Sequence, residues 1–252
     1  MIFVADTITV LEAGLATVQD LGRRGGGRVG QMVGGALDQY SAQAANTLVG
    51  SNPDSPLLEL TAFDFAAVVD TDVIVAVTGA PADVHIDGHL VPTWEPVVWR
   101  ARSVLTVTRI RDGLRVYLAL HGAIEAPTLR GSCAPDTVLG FGRFLRPGDA
   151  LQVHVDTPAL RHPHFDLPLF RLGAERPAFG TSWTVPITDG PDIEDFGSTA
   201  ARLTDTDLTV GDSSNHIGLR LRPSHDVPLP TRVVRSEMLS RGVPIGAVEV
   251  PT

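Results

Sequence analysis

The segment from Thr17 to Arg23 (Thr-Val-Gln-Asp-Leu-Gly-Arg) holds the residues of this chain that are best suited to chemistry. It brings an amide, a carboxylate and a guanidinium together in Gln19, Asp20 and Arg23, directly before a glycine-rich loop. Asp20 and Arg23 either orient a small polar substrate or pair with each other and so anchor the loop. The spacing leaves both interpretations open.

A further carboxylate and amide follow the loop on a predicted helix. Apolar residues at a spacing of four predict a helix over residues 38–49, which Gly50 ends. Asp38 stands where it can cap this helix, and beside the loop it is equally a candidate for acid–base catalysis. Asn46 is either a solvated helix residue or a buried side chain that binds an amide.

The composition excludes several kinds of chemistry. All 20 residues counted as Lys plus Arg are arginine, so the chain has no Schiff-base lysine, no P-loop lysine and no lysine to carry biotin. A net charge of −9 argues against a surface that binds nucleic acid. His162 and His164 have no third ligand in their motif, so we expect no metal site.

The sequence also predicts where the protein resides. No apolar run approaches the roughly 18 residues that a membrane span needs. The first ten residues lack the basic and apolar regions of a signal peptide, and Cys133 is the only cysteine, so no internal disulfide forms. We therefore expect a cytoplasmic protein that makes no membrane contact.

Strand patterns dominate the elements that must position these residues. The patterns predict strands at residues 8–12, 57–61, 63–69, 73–78, 84–86, 104–110, 114–120, 151–155 and 217–222. Asp87-Gly88 and Asp112-Gly113 predict hairpin turns, and alternation within 114–120 predicts a half-buried strand. With one further helix predicted at Ile193 to Leu203, we expect a mainly β fold with a few short helices, as in a barrel or sandwich.

A stretch rich in proline and histidine at residues 157–168 is typical of a linker. It predicts two lobes. The N-terminal lobe, residues 1–156, carries the glycine-rich loop, and the C-terminal lobe comprises residues 157–252.

Several motifs follow one another in a characteristic order. They are residues 17–23, Gly34 to Asp38, Ala45 to Gly50, Arg115 to Ala119, Pro147 to Asp149, Gly190 to Asp192 and Gly218 to Leu221. In this order they resemble the KipA family, also called the C-type subunit of 5-oxoprolinase or allophanate hydrolase subunit 2. The same module is similar to half of the carboxyltransferase domain of biotin-dependent urea carboxylase.

The resemblance implies a cyclophilin-like β-barrel architecture with two lobes. Members of the family continue beyond the point that corresponds to Thr252, so the resemblance also implies a C-terminal lobe that is incomplete relative to the family.

The resemblance further implies a subunit of an ATP-dependent amidohydrolase, most specifically 5-oxoprolinase, which opens 5-oxoproline to glutamate. The implied partners are a KipI-like protein and a LamB/YcsF-like protein, which are the B-type and A-type components of 5-oxoprolinase, with ATP bound somewhere in the complex. One alternative is the carboxyltransferase subunit of a urea carboxylase, where biotin is carried on another domain. Another is a non-catalytic regulatory protein that binds a KipI-like kinase inhibitor.

Six residues are the predicted site. We expect Asp20 and Asp38 to be catalytic carboxylates, which act as acid or base or orient the substrate. We expect Arg23 to hold a substrate carboxylate, since its forked donors suit that group. Gln19 and Asn46 are expected to bind an amide, and Arg220 is expected to bind substrate.

Overall fold

Buried hydrophobic side chains are concentrated in the first part of the chain, between Ile8 and Val153 among the residues that the structure describes. That structure is a computed structural model and describes residues 6–155, 173–180, 183–233 and 242–250. The chain divides into two compact units, residues 1–182 and 183–252. Several predictions fall outside the described residues: the linker at 157–168, the lobe boundary after residue 156, and the pair His162 and His164. The boundary therefore stays a prediction.

The described residues form fourteen strands, one α-helix and two 3-10 segments. The strands are β1 (Asp6–Glu12), β2 (Thr17–Gln19), β3 (Leu57–Thr61), β4 (Phe65–Val69), β5 (Val73–Gly79), β6 (Asp83–Ile86), β7 (His89–Val91), β8 (Pro96–Trp99), β9 (Val104–Thr108), β10 (Arg115–Leu120), β11 (Ala123–Ile124), β12 (Ala150–His154), β13 (Leu208–Val210) and β14 (Leu221–Pro223). The helix α1 covers Gln39–Leu48, and the 3-10 segments cover Gly26–Val29 and Ile193–Leu203.

Twelve of these strands form two antiparallel sheets. The larger has seven strands in the order β11-β12-β1-β4-β9-β6-β7, and the smaller has five in the order β2-β3-β10-β5-β8. The mainly β class with few short helices is therefore confirmed. Its barrel part needs one correction, because the described strands pair into two open sheets rather than one closed barrel.

An apolar core formed by both sheets holds unit 1 together. Val10 and Phe65 from the larger sheet join Leu60, Val75 and Val116 from the smaller one in a single buried cluster. Four of these five residues are β-branched or aromatic, which suits strands, and alternation along each strand sends every second side chain into this core.

Helix α1 covers the other face of the five-stranded sheet. Ala42, Ala45 and Leu48 on the helix pack against Ile74 and Tyr117 on the sheet. The small alanines allow the helix to lie close to the strands. The predicted helix bounds are confirmed to within one residue at each end.

Two predictions about β10 are wrong, because contacts with distant parts of the chain decide its environment. Residues on both of its faces are buried, including Tyr117 and Ala119, because α1 covers the face that was expected to meet solvent. Asp112-Gly113 does not form a hairpin, since β9 pairs in the larger sheet and β10 in the smaller. Asp87-Gly88, by contrast, does connect the paired strands β6 and β7.

Unit 2 has little core among its described residues. Its 3-10 segment at Ile193–Leu203 occupies the bounds of the predicted helix, but a non-helical Gly197 interrupts it and none of its residues is buried. The strand predicted at 217–222 is confirmed only at its end, where Leu221–Pro223 pairs with Leu208–Val210 in a two-stranded sheet.

Candidate functional site

Four polar side chains form a row across the five-stranded sheet. Cross-strand pairing places Thr17 beside Glu59, Glu59 beside Tyr117, and Tyr117 beside Thr78. Directly paired residues of antiparallel strands project from the same face, here the face that α1 covers. All four are buried. Buried polar groups are nearly always satisfied by hydrogen bonds, so this row must be organised by specific partners.

Glu59 lies at the centre of that organisation. It is 1% exposed, and its Oε2 accepts hydrogen bonds from the backbone N–H of Leu37 at 3.0 Å and from the Tyr117 hydroxyl at 2.9 Å. The Tyr117 oxygen accepts the backbone N–H of Asp38 at 2.8 Å. Burial and then the Glu59 charge raise the pKa of Tyr117, so its hydroxyl stays protonated and donates. The network fixes the backbone just before α1.

Arg115 adds the positive charge of the site. Its Nε lies 3.4 Å from Oε1 of Glu59, and its side chain is 15% exposed. The two groups attract as charges, but this Nε is not aligned to donate and has no hydrogen-bond partner among the described residues. The guanidinium is therefore held beside Glu59 by charge and packing.

A cavity of about 220 Å³ opens beside this network. It is lined by Leu37, Asp38, Ala80, Leu114, Arg115 and Phe179, together with Gly113. One acidic side chain, Asp38, and one basic side chain, Arg115, thus lie in walls that are otherwise mostly apolar. Pockets for drug-sized ligands measure about 300–1,000 Å³, so this cavity suits a smaller molecule.

The segment at residues 173–180 supplies one wall of the cavity. The Tyr40 hydroxyl on α1 donates to the carbonyl oxygen of Glu175 at 2.5 Å, and Ala174 packs against the apolar cluster at α1. These two contacts fix the segment, which places Phe179 in the cavity wall.

The glycine-rich loop is closed at its base by close backbone packing. The N–H of Ala36 donates to the carbonyl oxygen of Asp20 at 2.8 Å. Gly22 and Gly35 both have positive φ, and a Cβ on either would lie 2.6 Å from a backbone atom of the opposing segment. Any larger residue at these positions would separate the two segments.

Asp20, a predicted catalytic carboxylate, is buried beneath this base. Its carboxylate accepts hydrogen bonds from the Ser132 hydroxyl at 2.6 Å, the N–H of Cys133 at 2.7 Å and the N–H of Gly22 at 2.8 Å. Burial and then Asp20 raise the pKa of the Cys133 thiol. These contacts tie the glycine-rich loop to the loop around residue 132, and the catalytic role of Asp20 stays a prediction.

Arg23 reaches the same neighbouring loop. It is 1% exposed, donates to the carbonyl oxygens of Leu129 (3.2 Å) and Ala134, and lies with its guanidinium carbon 5.5 Å from the Phe141 ring centroid. Among the described residues it forms no ion pair with Asp20, so each anchors the loop separately. Its role in holding a substrate carboxylate stays a prediction.

Asp38 and Asn46 have distinct surroundings on α1. Asp38 caps the helix as predicted, since its carboxylate accepts from the N–H of Ser41 at 3.0 Å and from its hydroxyl at 2.5 Å, and it also lines the cavity. Asn46 is buried and donates to the carbonyl oxygens of Pro53 and Ser55, which fixes the loop after the helix. Their roles toward a substrate stay predictions.

Gln19 and Arg220 complete the predicted set. Gln19 is 4% exposed, donates to the hydroxyl of Thr17 at 3.1 Å, and has no hydrogen-bond partner at its Oε1 among the described residues. Arg220 is exposed in unit 2. Of the six predicted residues, only Asp38 lines the described cavity.

Sequence reasoning missed Glu59, Tyr117 and Arg115 as site residues. A signal was present for Glu59, because a single carboxylate inside the apolar run Leu57–Thr61 must find a partner when that run is buried. The partner, Arg115, is far away in the chain, and the sequence pattern predicted that its strand is half exposed.

The described parts of the chain give two further findings. No three His, Cys, Asp or Glu side chains come together there in a way that could hold a metal ion. No helix there has the length and apolar character needed to cross a bilayer.

Comparisons with known sequences agree on a family. Residues 29–252 match the model described as carboxyltransferase domain, subdomain A and B. The chain is 30% identical to the C-type subunit of 5-oxoprolinase from Escherichia coli over 250 residues, which are 97% of this chain and 76% of that one. It is 34% identical over 140 residues to urea amidolyase of Saccharomyces cerevisiae, which is 54% of this chain and 8% of that protein.

A solved structure agrees on the fold. Crystals of TTHA0988 in space group P212121 contain a chain that superposes with a TM-score of 0.82 at 27% identity, over 98% of this chain and 47% of that one. This chain thus spans about three quarters of the bacterial 5-oxoprolinase subunit, but less than half of TTHA0988 and less than a tenth of the yeast protein.

Proposed function

The chain belongs to the family described as carboxyltransferase domain, subdomain A and B, and we propose that within this family it is the C-type subunit of a 5-oxoprolinase. The observation that carries the proposal is the 30% identity to the Escherichia coli subunit over 97% of this chain. In the proposed reaction the complex uses ATP and water to open the lactam of 5-oxoproline, which yields glutamate, ADP and phosphate.

The cavity is the proposed place where the substrate meets this chain. It combines the carboxylate of Asp38, the guanidinium of Arg115 and apolar walls, which suits a small molecule with an amide, a charge and an aliphatic ring. In the proposal, Asp38 accepts a hydrogen bond from the lactam N–H, and Glu59 with Tyr117 holds the rim in place.

Other parts of the proposal concern ATP, partners and location. A cavity of about 220 Å³ is small for a nucleotide, and the chain has no P-loop lysine, so we propose that ATP binds on a partner or at an interface. The proposed partners are a KipI-like protein and a LamB/YcsF-like protein. Cys133 is the only cysteine, so the chain needs no oxidising compartment, which supports a cytoplasmic complex.

The test is reconstitution. The chain is co-purified with a KipI-like and a LamB/YcsF-like protein, and ADP and glutamate are measured with and without 5-oxoproline. We expect both products in equal amounts only when all three proteins and 5-oxoproline are present. Equal turnover in a mixture from which this chain is omitted would contradict the proposal.

A second candidate function is carboxyl transfer in a urea carboxylase. It is favoured by the 34% identity to yeast urea amidolyase over 140 residues. Because this chain has no lysine, the biotin would be carried by another protein or domain. The discriminating measurement supplies a carboxylated biotin carrier and urea to the chain. Transfer to urea without ATP-dependent opening of 5-oxoproline would replace the first proposal with the second.

A further inference from the structure

We propose that Arg115 is the carboxylate receptor of the cavity, so that the ligand is a small amide carrying one carboxylate rather than a neutral amide. The inference rests on the proposed function in assigning the cavity to substrate, and it goes further by naming the residue that selects the charged ligand. Arg115 takes the role that the sequence assigned to Arg23, because Arg23 is buried against carbonyl oxygens and does not line this cavity.

The hydrogen bonds of the site make Arg115 suitable for this role. Oε2 of Glu59 is already occupied by two donors, the N–H of Leu37 and the hydroxyl of Tyr117. Its Oε1 faces Nε of Arg115 at 3.4 Å without aligned donation. The structure shows no hydrogen bond from the Arg115 guanidinium to a described residue. The guanidinium is thus held beside Glu59 by charge, with its Nε buried, while its terminal NH₂ groups remain available to a planar carboxylate.

Directed hydrogen bonds rather than net charge would hold a ligand carboxylate, because Glu59 already offsets the charge of Arg115 and Asp38 adds a second acidic side chain at the cavity. Glu59 lies on the sheet face that α1 covers, where it is shielded from water. A ligand carboxylate would approach the guanidinium from the cavity, and its desolvation would be offset by charge-assisted hydrogen bonds. Glu59 and Tyr117 are therefore positioning residues, since they hold Arg115 and the backbone of Leu37 and Asp38 without lining the cavity themselves.

The other lining residues indicate which groups the ligand carries besides its carboxylate. Asp38 accepts hydrogen bonds from Ser41 through both oxygens, and each carboxylate oxygen can accept one more, which suits an amide N–H. Leu37, Ala80 and Phe179 offer apolar surface to a short aliphatic portion between the two polar ends. The ligand class is therefore a small carboxylate-bearing amide.

The experiment is calorimetric titration of the whole chain with two lactams, 5-oxoproline and 2-pyrrolidinone, which differ in the carboxylate. We expect 5-oxoproline to bind more tightly to the wild type. Arg115→Gln should weaken its binding about ten-fold or more, to the level of 2-pyrrolidinone, because a charged hydrogen-bonding partner is lost. Asp38→Asn, which keeps the helix cap, should weaken both lactams by a similar factor.

Controls separate binding from folding. Arg143→Gln removes the same charge from an exposed arginine paired with Asp149, and should bind both lactams like wild type. Arg115→Lys keeps the charge but not the fork, and should show an intermediate affinity for 5-oxoproline. Circular dichroism and thermal unfolding confirm that each variant tested is folded.

Three outcomes would overturn the inference. They are no binding of 5-oxoproline to the folded chain, equal affinity of the wild type for both lactams, and an unchanged affinity in Arg115→Gln. The reconstitution assay reports separately on the proposed function. Turnover that is unaffected by Arg115→Gln would leave the proposed function standing without this inference, and carboxylate-selective binding without turnover would do the reverse.

Discussion

The two faces of the five-stranded sheet are built from the same strands but follow different rules. Leu60 and Val116 project into the apolar core shared with the larger sheet. Their neighbours Glu59 and Tyr117 project toward α1 and form a buried hydrogen-bonded network. Both faces are sealed from water, so exposure does not distinguish them.

The difference lies in what each face stabilises. The apolar face is stabilised by the burial of apolar surface. This interaction has no preferred direction, so it tolerates changes of shape at an energetic cost but specifies no ligand. The polar face orients particular atoms, including the backbone N–H groups of Leu37 and Asp38 and the guanidinium of Arg115. We infer that one face provides stability and the other positions the cavity. The following four predictions test that contrast, from the largest expected effect to the smallest.

Leu60→Ala tests the apolar face. The side chain is fully buried, so its removal leaves a cavity in the core, and we expect the free energy of unfolding to fall by about 3–4 kcal/mol. Urea unfolding followed by fluorescence measures this change. At a temperature where the variant is folded, its affinity for 5-oxoproline should equal that of the wild type. A large loss of affinity in the folded variant would contradict the division of roles.

Glu59→Gln tests the polar face at the adjacent residue. The substitution keeps the size of the side chain but leaves Arg115 without its charge partner and places an NH₂ group among the donors Leu37 and Tyr117. We expect a loss of about 2 kcal/mol, since the hydrogen bonds involve a buried charge. Unlike Leu60→Ala, this variant should also change the affinity for 5-oxoproline. A variant that loses stability alone would show that Glu59 has no positioning role.

Tyr117→Phe removes only the hydroxyl that links Glu59 to Asp38. We expect a loss of about 1 kcal/mol at neutral pH, since two hydrogen bonds lose a common partner. Because the pKa of Tyr117 is higher in the folded state, its contribution to stability is fully present below the unfolded pKa of about 10. This contribution falls as the pH rises from that value toward the folded pKa. The stability difference between wild type and variant should therefore shrink above that pH. A difference that stays constant up to about pH 11 would contradict this account.

The sequence predicted individual elements better than their partners. Strands such as Leu57–Thr61 were predicted to the residue, because an apolar run between turns is a local signal. The sheet to which each strand belongs was not, as at Asp112-Gly113, because pairing depends on residues far apart in the chain. His89–Val91 was missed as a strand since it is short and largely exposed.

The candidate site shows the same limit. Asp38 was identified because helix capping is a local pattern that needs only a few residues. Arg115 and Glu59 are 56 positions apart in the chain, and only the pairing of β10 with β3 brings them together. Neither residue has a motif that would identify it alone. The site could thus be located approximately from the sequence, but its charged pair could not.

The smallest expected effect concerns an ion pair outside both faces and provides the reference for Glu59. Arg143 binds both carboxylate oxygens of Asp149, at 2.6 and 2.8 Å, and the N–H of Arg146 donates to the same group. The Arg143 hydrogen bond holds the pKa of Asp149 below its usual range, so the stabilisation is present above the unfolded value of about 4 and is lost as pH falls. Because the pair is largely solvated, we expect Asp149→Asn to cost less than about 1 kcal/mol at pH 7.

Salt separates this reference pair from the buried one. Thermal unfolding in about 0.1 and about 1 M NaCl should show the effect of Asp149→Asn diminishing, since exposed charges are screened within a few ångströms at high salt. The effect of Glu59→Gln should persist, because Glu59 is shielded from solvent. If both effects were equally small and equally sensitive to salt, Glu59 would behave as a surface charge. The polar face would then differ from the apolar face in composition alone, and the proposed positioning of Arg115 would lose its physical basis.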